Sequence, residues 1–361
     1  MQLADRLDLS KATVSLALRD SPEIAPRTRN RVKAAALAMN YVPNRVAQAM
    51  SNRRSNCIGI IVPTVNSSFF PDIINGIEQE AKNEGRQCFV CQSHSRTEIM
   101  AEEVEALLSH MVEGLIIFPV NSFVQKDLYL DLLKRPVNFV LVDQRVDGVR
   151  APYVGNDNRK AGRLATGHLL TRGHRRIACI RGYWDSLSAR DRFRGYADAL
   201  ADAGIALEED LVAGNGFDTD EGYRSAQKLL KGRHSFTALV APNDFVALGA
   251  IRALEEGGLR VPEDVAVIGC GNLDMCSWVS PSLSSIDQSP GKIGQAAMRL
   301  LAEAGPPASK KTAPRETIID SSVVVRKSTS LRFPQAEEHS RPVFPSPSDS
   351  SEETQEHQQT R

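Results

Sequence analysis

Hydrophobic and polar residues follow two different rhythms along this chain. Over the first forty positions apolar residues recur three and four apart: Leu3, Ala4 and Leu7, then Val14, Ala17 and Leu18, then Val32, Ala35, Ala36 and Met39. That spacing lines one side of a helix each time. It predicts a first short helix, a turn at Asp8-Leu9, a second helix from Lys11 to about Leu18 capped by Ser10, and a third starting near Pro26 as its N1 residue. NRVAQAM (44–50) reads as a further short helix that would be marginal in isolation. From 57 to about 330 the rhythm changes. Runs that are apolar throughout, CIGIIV (57–62), CFVCQ (88–92), GLIIFP (114–119), NFVLVD (138–143), RIACIR (176–181), TALVAP (237–242) and VAVIGC (265–270), alternate with helical segments at 72–84, 98–111, 159–170, 192–203 and 245–257. Uniformly apolar strands joined by helices indicate parallel sheets covered on both faces. The strands divide near 155, which predicts two βα lobes around one cleft, with the strand carboxyl ends facing a ligand.

Charge sharpens this picture. The whole chain has a formal net charge of zero, but residues 1–54 carry ten Lys or Arg against four acids. The last 29 residues carry six acids against two arginines. The basic excess therefore sits on the helical head and on the polar connector at 44–56, where an anionic partner would be met. After Phe333 the sequence turns to Pro, Ser, Glu and Gln, too polar to repay ordering, and the segment 332–361 is expected to be a disordered acidic tail.

Catalytic chemistry finds no foothold. There is no GxGxxG opening a helix, no GxxxxGK[ST], no GxSxG and no HExxH. Neither a catalytic residue nor a cofactor is expected. The six cysteines lie in or beside apolar runs and read as buried free thiols; the Cys88/Cys91 spacing lies within a strand and has no second pair to complete a metal site. His168 and His174 flank a Gly-containing helix end and read as capping and surface groups. No apolar stretch approaches membrane-spanning length and no signal-peptide core is visible, so a cytoplasmic protein is expected, with no membrane partner.

The segments LSKATVSLALRDSPEIAPRTRNRVKAAALAMNYVPNRVAQAM (9–50), SNCIGIIVP (55–63), SARDRFRGYADAL (188–200) and VAPNDFVALGAIRALEEGGLRVPEDVAVIG (240–269) resemble the lactose-repressor family of bacterial transcriptional regulators. The resemblance runs from residue 1 to about 331. It implies a helix-turn-helix DNA-binding head (1–43), a hinge helix and linker (44–56) and a two-lobed α/β core of the periplasmic-binding-protein kind (57–331). The lobes would comprise 57–155 plus 290–318, and 156–289 plus 319–331. The implied partners are a second copy of the chain, a pseudo-palindromic double-stranded operator and a small-molecule effector.

On the DNA side the resemblance places Lys11 and Ala12 at positions that set operator sequence. Ser15 and Arg19 match nearby contact positions, and Thr13, Thr28 and Asn44 would sit close to phosphates. Arg45 and Arg53 lie on the basic connector, and Met50 matches a wedge inserted at the central minor-groove step. Ala12 has no polar group and can read only a thymine methyl or fill space. On the effector side it points to Asn66, Ser67, Ser68, Phe69 and Phe70 after the first strand, Asp143 and Arg145 after the fourth, Arg190 as a bidentate donor, then Phe217, Asn243, Asp244 and Asn272. Asp244 has an alternative use as a helix cap. A sugar or nucleoside fits this set of groups.

Two departures stand out. The family has several residues before the point matching Met1, so either the start lies upstream or the first helix is weakly capped. After VAVIG the family shows an aromatic residue followed by aspartate, whereas this chain has Cys270, Gly271 and Asn272. A rival reading shares the core alone: a solute-binding protein with no regulatory role, which would need neither the basic head nor the hinge.

Overall fold

The computed structural model describes residues 2–41, 55–66, 69–120, 126–232, 235–304 and 314–330, in two compact units, 1–55 and 56–361. Asn44, Arg45, Met50, Arg53, Ser67, Ser68 and the segment 332–361 lie outside the described residues.

The head is three helices, α1 (Gln2–Leu7), α2 (Lys11–Leu18) and α3 (Pro26–Ala38). Leu3, Leu7, Val14, Ala17, Val32 and Ala36 are buried together. The chain leaves α1 through Asp8 at φ 53°, and the Ser10 hydroxyl accepts the Thr13 N–H at 3.0 Å to cap α2. Arg31 of α3 donates to the Leu7 carbonyl at 2.9 Å, supplying a partner at the carboxyl end of α1.

In the larger unit the elements are β1 (Cys57–Val62), α4 (Phe69–Asn83), β2 (Gln87–Gln92), α5 (Thr97–Ser109), β3 (Gly114–Ile117), α6 (Lys126–Lys134), β4 (Asn138–Val142) and β5 (Tyr153–Asn156). There follow α7 (Asn158–Thr171), β6 (Ile177–Ile180), α8 (Leu187–Asp202), β7 (Val212–Ala213), α9 (Thr219–Leu230), β8 (Ala238–Val240), α10 (Asp244–Glu256) and β9 (Ala266–Gly271). The last are β10 (Ser284–Asp287), α11 (Pro290–Glu303), β11 (Glu316–Ile319) and β12 (Ser322–Val324). They build two six-stranded sheets, ordered β11-β5-β4-β3-β1-β2 and β12-β10-β9-β8-β6-β7. All pairings are parallel except β12 with β10. Each sheet has an apolar cluster on both faces. The chain passes from one sheet to the other after β5, after β10 and between β11 and β12.

The strand reading needs one correction. β2 is an edge strand and is not covered on both faces: Phe89 is 43% and Val90 39% exposed. Elements that sequence rhythm did not mark are β5, β7, β10, β11, β12, α6, α9 and α11.

Three helix pairs touch backbone to backbone. Gly162 of α7 lies under the Arg192 carbonyl of α8, and Gly195 of α8 lies under the Arg159 carbonyl of α7; a Cβ at either would stand 2.0 Å from the oxygen. Gly222 and Gly249 play the same parts between α9 and α10, and Gly76 and Gly294 between α4 and α11. Among the described residues no helix is long and apolar enough to cross a membrane.

Candidate nucleic-acid interface and ligand cleft

Burying Val14 and Ala17 leaves the opposite arc of α2 outward, and it carries Lys11, Ala12 and Arg19 exposed and Ser15 and Leu16 half-buried. Arg19 donates to the Ser15 hydroxyl at 3.0 Å. Thr13 sits at the amino end of α2, its hydroxyl 2.8 Å from that of Ser10, and Thr28 lies in the first turn of α3. The predicted head residues that are described therefore fall at the start of α2, along its outer arc, or at the start of α3. Several head cations are already engaged: Lys33 pairs with Asp20 at 2.5 Å, and Arg29 donates to the Asp20 carbonyl at 2.9 Å. Sequence reasoning missed Leu16, which is solvent-facing but belongs to the apolar half of the alphabet.

In the larger unit, the carboxyl end of β4 turns through Asp143 at φ 68°. Its N–H bonds the Val154 carbonyl at 3.0 Å and its carbonyl accepts from Tyr153 Oη at 3.1 Å, which fixes the residue in this strained conformation. Burial pushes the Asp143 carboxyl up to about 6, opposed by the positive charge of Arg192. A cavity of about 170 Å³ opens here, lined by Asp143, Arg145, Asn156, Asn158, Ser188 and Asp191 among others. Arg145 lies 4.0 Å over the Tyr153 ring and is held by Glu316 through two bonds of 2.8 and 3.2 Å. Leu187, Ser188 and Asp191 at the start of α8 supply the facing wall, and Arg192 of the same helix donates to Asn158 Oδ1, its Nε buried without a hydrogen-bond partner.

Gln144 joins the two sides. Its side-chain nitrogen donates to the Pro119 carbonyl at 3.2 Å, and its oxygen accepts the Leu187 N–H, at the start of α8, at 3.0 Å. Phe69 and Phe70 meet edge to face at 5.5 Å, and Phe70 meets Phe118 at 5.6 Å. Phe69 packs against core clusters of both sheets. Asn66 is exposed.

Other predicted effector residues lie elsewhere. Arg190 faces Trp184, 5.5 Å from its ring centre, on the loop that also carries Tyr183; Phe217 meets Tyr183 edge to face at 5.4 Å. Asn243, not Asp244, caps α10: its oxygen accepts the Val246 N–H and its nitrogen donates to the Phe217 carbonyl, both at 2.8 Å. The Asp244 carboxylate is fully buried and accepts from Ser285 Oγ at 2.6 Å and the Leu273 N–H at 2.9 Å, so it holds the loop after β9 and has no surface to offer a ligand. Asn272 accepts from Arg326 at 2.7 Å. Gly271, where the family places its aspartate, has φ 129° and lies close to the Asp244 carboxylate.

His168 and His174 are not surface groups. His174 is buried, His168 half-buried, and burial pushes both down to about 4. None of the six cysteines is joined in a disulfide; Cys179, Cys270 and Cys276 are buried, and Cys57, Cys88 and Cys91 are half-buried. Among the described residues no three His, Cys, Asp or Glu side chains gather into a metal site.

Comparison with known proteins follows the same division. Residues 3–44 match the bacterial regulatory proteins of the lacI family, and residues 166–329 match a periplasmic binding protein-like domain. The HTH-type transcriptional repressor PurR of Mannheimia succiniciproducens is 30% identical over 329 residues, covering 90% of this chain and 97% of that protein. The lac repressor dimer bound to operator and the anti-inducer ONPF aligns with a TM-score of 0.80 at 27% identity, over 91% of this chain and 97% of the other. The complex of the transcriptional regulator CelR with cellobiose aligns at 0.69 and 29% identity, over 90% and 98%.

Proposed function

The chain belongs to the lacI family of bacterial regulatory proteins, transcriptional regulators rather than enzymes, and from that premise we propose that it is a homodimeric repressor whose grip on a pseudo-palindromic operator is relieved by a small polyhydroxylated ligand. The observation that carries the DNA half is the outer arc of α2, where Lys11 and Ala12 stand exposed at the amino end of a capped helix. Relatives support the assembly: the lac repressor is seen as a dimer on its operator. In this chain the exposed Phe89 and Val90 of the β2 edge, with the exposed Met111 that follows His110, whose ring lies 6.1 Å from that of Phe89, are the surface we assign to a second copy.

For the ligand half, the cavity beside Asp143 supplies the carboxyl groups of Asp143, Asp157 and Asp191, the amides of Asn156 and Asn158 and the Ser188 hydroxyl. Such a set suits the hydroxyls of a sugar or a nucleoside, and CelR, a relative, is seen with cellobiose. We give the arginine role to Arg192 and not to Arg190, because Arg192 reaches Asn158 on the cavity wall and electrostatically opposes the Asp143 shift. The division into lobes 57–155 plus 290–318 and 156–289 plus 319–331 then puts the ligand between two bodies whose relative angle it changes. Release from DNA requires only that the ligand favour the closed arrangement over the one that holds operator.

The test has two stages. Selection from random duplexes with the full chain should return an inverted repeat, bound less tightly as salt rises. A thermal-shift screen of sugars, sugar phosphates and nucleosides should then give a hit that weakens operator binding and disappears in Arg192→Ala. No enriched motif refutes the DNA half; a hit that leaves operator affinity unchanged refutes the coupling.

A further inference from the structure

The outer arc of α2 contains a feature that phosphate attraction does not account for. Residues 12 and 16 are one helical turn apart and therefore neighbours on the surface. Ala12 is exposed and Leu16 is half-buried, yet Leu16 takes no part in the head's apolar core, which draws Val14, Ala17 and Leu18 from this helix. Ala12 and Leu16 thus form a short apolar strip in the middle of a polar face. Lys11 and Ser15 flank it on one side. The guanidinium of Arg19, one turn beyond Ser15, is folded back on the Ser15 hydroxyl.

Charge identifies what meets this face. The described head carries Arg6, Lys11, Arg19, Arg27, Arg29, Arg31 and Lys33 against Asp5, Asp8, Asp20 and Glu23, and the acid Asp20 is already neutralised by Lys33. A cationic surface with a central apolar strip is complementary to the major groove. There the phosphates are anionic, and the one apolar group on a base edge is the C5 methyl of thymine. Neither alanine nor leucine can satisfy the acceptors of guanine or the exocyclic amine of cytosine, so placing them against a G·C pair leaves polar groups desolvated without partners.

We propose that Ala12 and Leu16 form a reading surface for thymine methyl groups, so that this protein selects its operator at one or two positions of each half-site by apolar contact. This rests on the DNA-binding reading above. Lys11 and Ser15 read the adjacent base edge, and the Arg19–Ser15 bond positions both side chains beside the strip.

The experiment uses the full chain and the duplex recovered by selection, remade with deoxyuridine replacing each thymine in turn. Uracil pairs as thymine does and differs only by the missing methyl. Each methyl that touches the strip should cost about fourfold in affinity when removed, while other thymines show no change. Leu16→Ser should bind the parent site more weakly and become indifferent to uracil at the same position. The DNA substitution needs no protein variant, so the outcome does not depend on how a mutant folds. A site whose half-sites contain no thymine, or one bound equally with every thymine replaced, overturns the proposal while leaving sequence-specific binding intact. Retention of the full methyl dependence by Leu16→Ser also overturns it. Failure of selection to return any motif is the distinct result that removes the DNA-binding reading itself, and this proposal with it.

Discussion

Asn156 and Gln288 hold each other where the chain changes sheets. The Asn156 side-chain nitrogen donates to the Gln288 carbonyl at 3.0 Å, and the Gln288 side-chain nitrogen returns a bond to Asn156 Oδ1 at 3.2 Å. The same Asn156 nitrogen donates to the Ile319 carbonyl at 2.9 Å, so one amide joins all three crossing strands. Both residues are almost fully buried. Asn156→Ala leaves two carbonyls unsatisfied in a dry site and should cost about 1–3 kcal/mol in urea unfolding. Asn156→Asp, which replaces the donor by an acceptor, should cost more. Equal stability of the aspartate variant and the wild type would show that the crossing is not held this way.

Acidity at Asp143 gives a signed prediction. Its carboxyl is raised to about 6, above its value in an unfolded chain near 3.8, so between those pH values the folded state holds the extra proton. Stability contributed by this group is therefore present below pH 4 and is lost as pH rises through 6. Moving from pH 4.5 to pH 7 should cost the wild type about 1–3 kcal/mol more than Asp143→Asn in matched urea titrations. The opposite sign would mean that Arg192 outweighs burial at this site.

Base reading and backbone attraction separate by substitution. Lys11→Ala should change the preferred duplex sequence in a repeated selection, whereas Arg53→Ala should lower affinity for all sequences alike and flatten the salt dependence. An unaltered motif for Lys11→Ala would move that side chain from the bases to the phosphates.

The β2 edge gives an assembly prediction. Phe89→Lys places a charge among Phe89, Val90 and their neighbours and should shift the sedimentation of the full chain toward monomer. Operator affinity should fall with it, because two heads on one duplex depend on the dimer. A dimer of unchanged mass would exclude this edge from the interface.

How much of this the residues declare depends on what buries them. β1, β3, β4, β6, β8 and β9 are central parallel strands, and their apolar runs announce them. β5 and β10 are equally buried but are built from YVGN and SSID, because their polar side chains are consumed inside: Asn156 at the crossing, Ser285 on Asp244, and Ser284 with Thr329. Hydropathy passes over such strands. The head is legible in detail because its helix-start signals, the Ser10 cap and Pro26 at N1, are local chemistry. The cleft is legible only to within a turn. Arg190 and Arg192 are two residues apart on one helix and so point about 200° apart, one to the Trp184 indole and one to the Asn158 side chain, and spacing alone does not set that phase. Asp244 was obscured for another reason: whether a carboxylate after a strand faces a ligand or its own backbone is decided by the loop that folds over it.

The paired glycines of the helix couples have a consequence for how the gene tolerates change. Every amino acid other than glycine carries a Cβ, and at Gly76, Gly162, Gly195, Gly222, Gly249 and Gly294 that atom would stand 1.9 to 2.2 Å from a carbonyl oxygen of the facing helix. Because the obstacle is backbone, no rotamer choice relieves it. In a saturation mutagenesis library scored for repression, these six codons should therefore be nearly blank, depleted alike for alanine and for tryptophan, while exposed neighbours such as Arg163 accept most replacements. A core position filled by leucine grades its losses by volume; these positions have no grading, since the smallest available side chain is already too large.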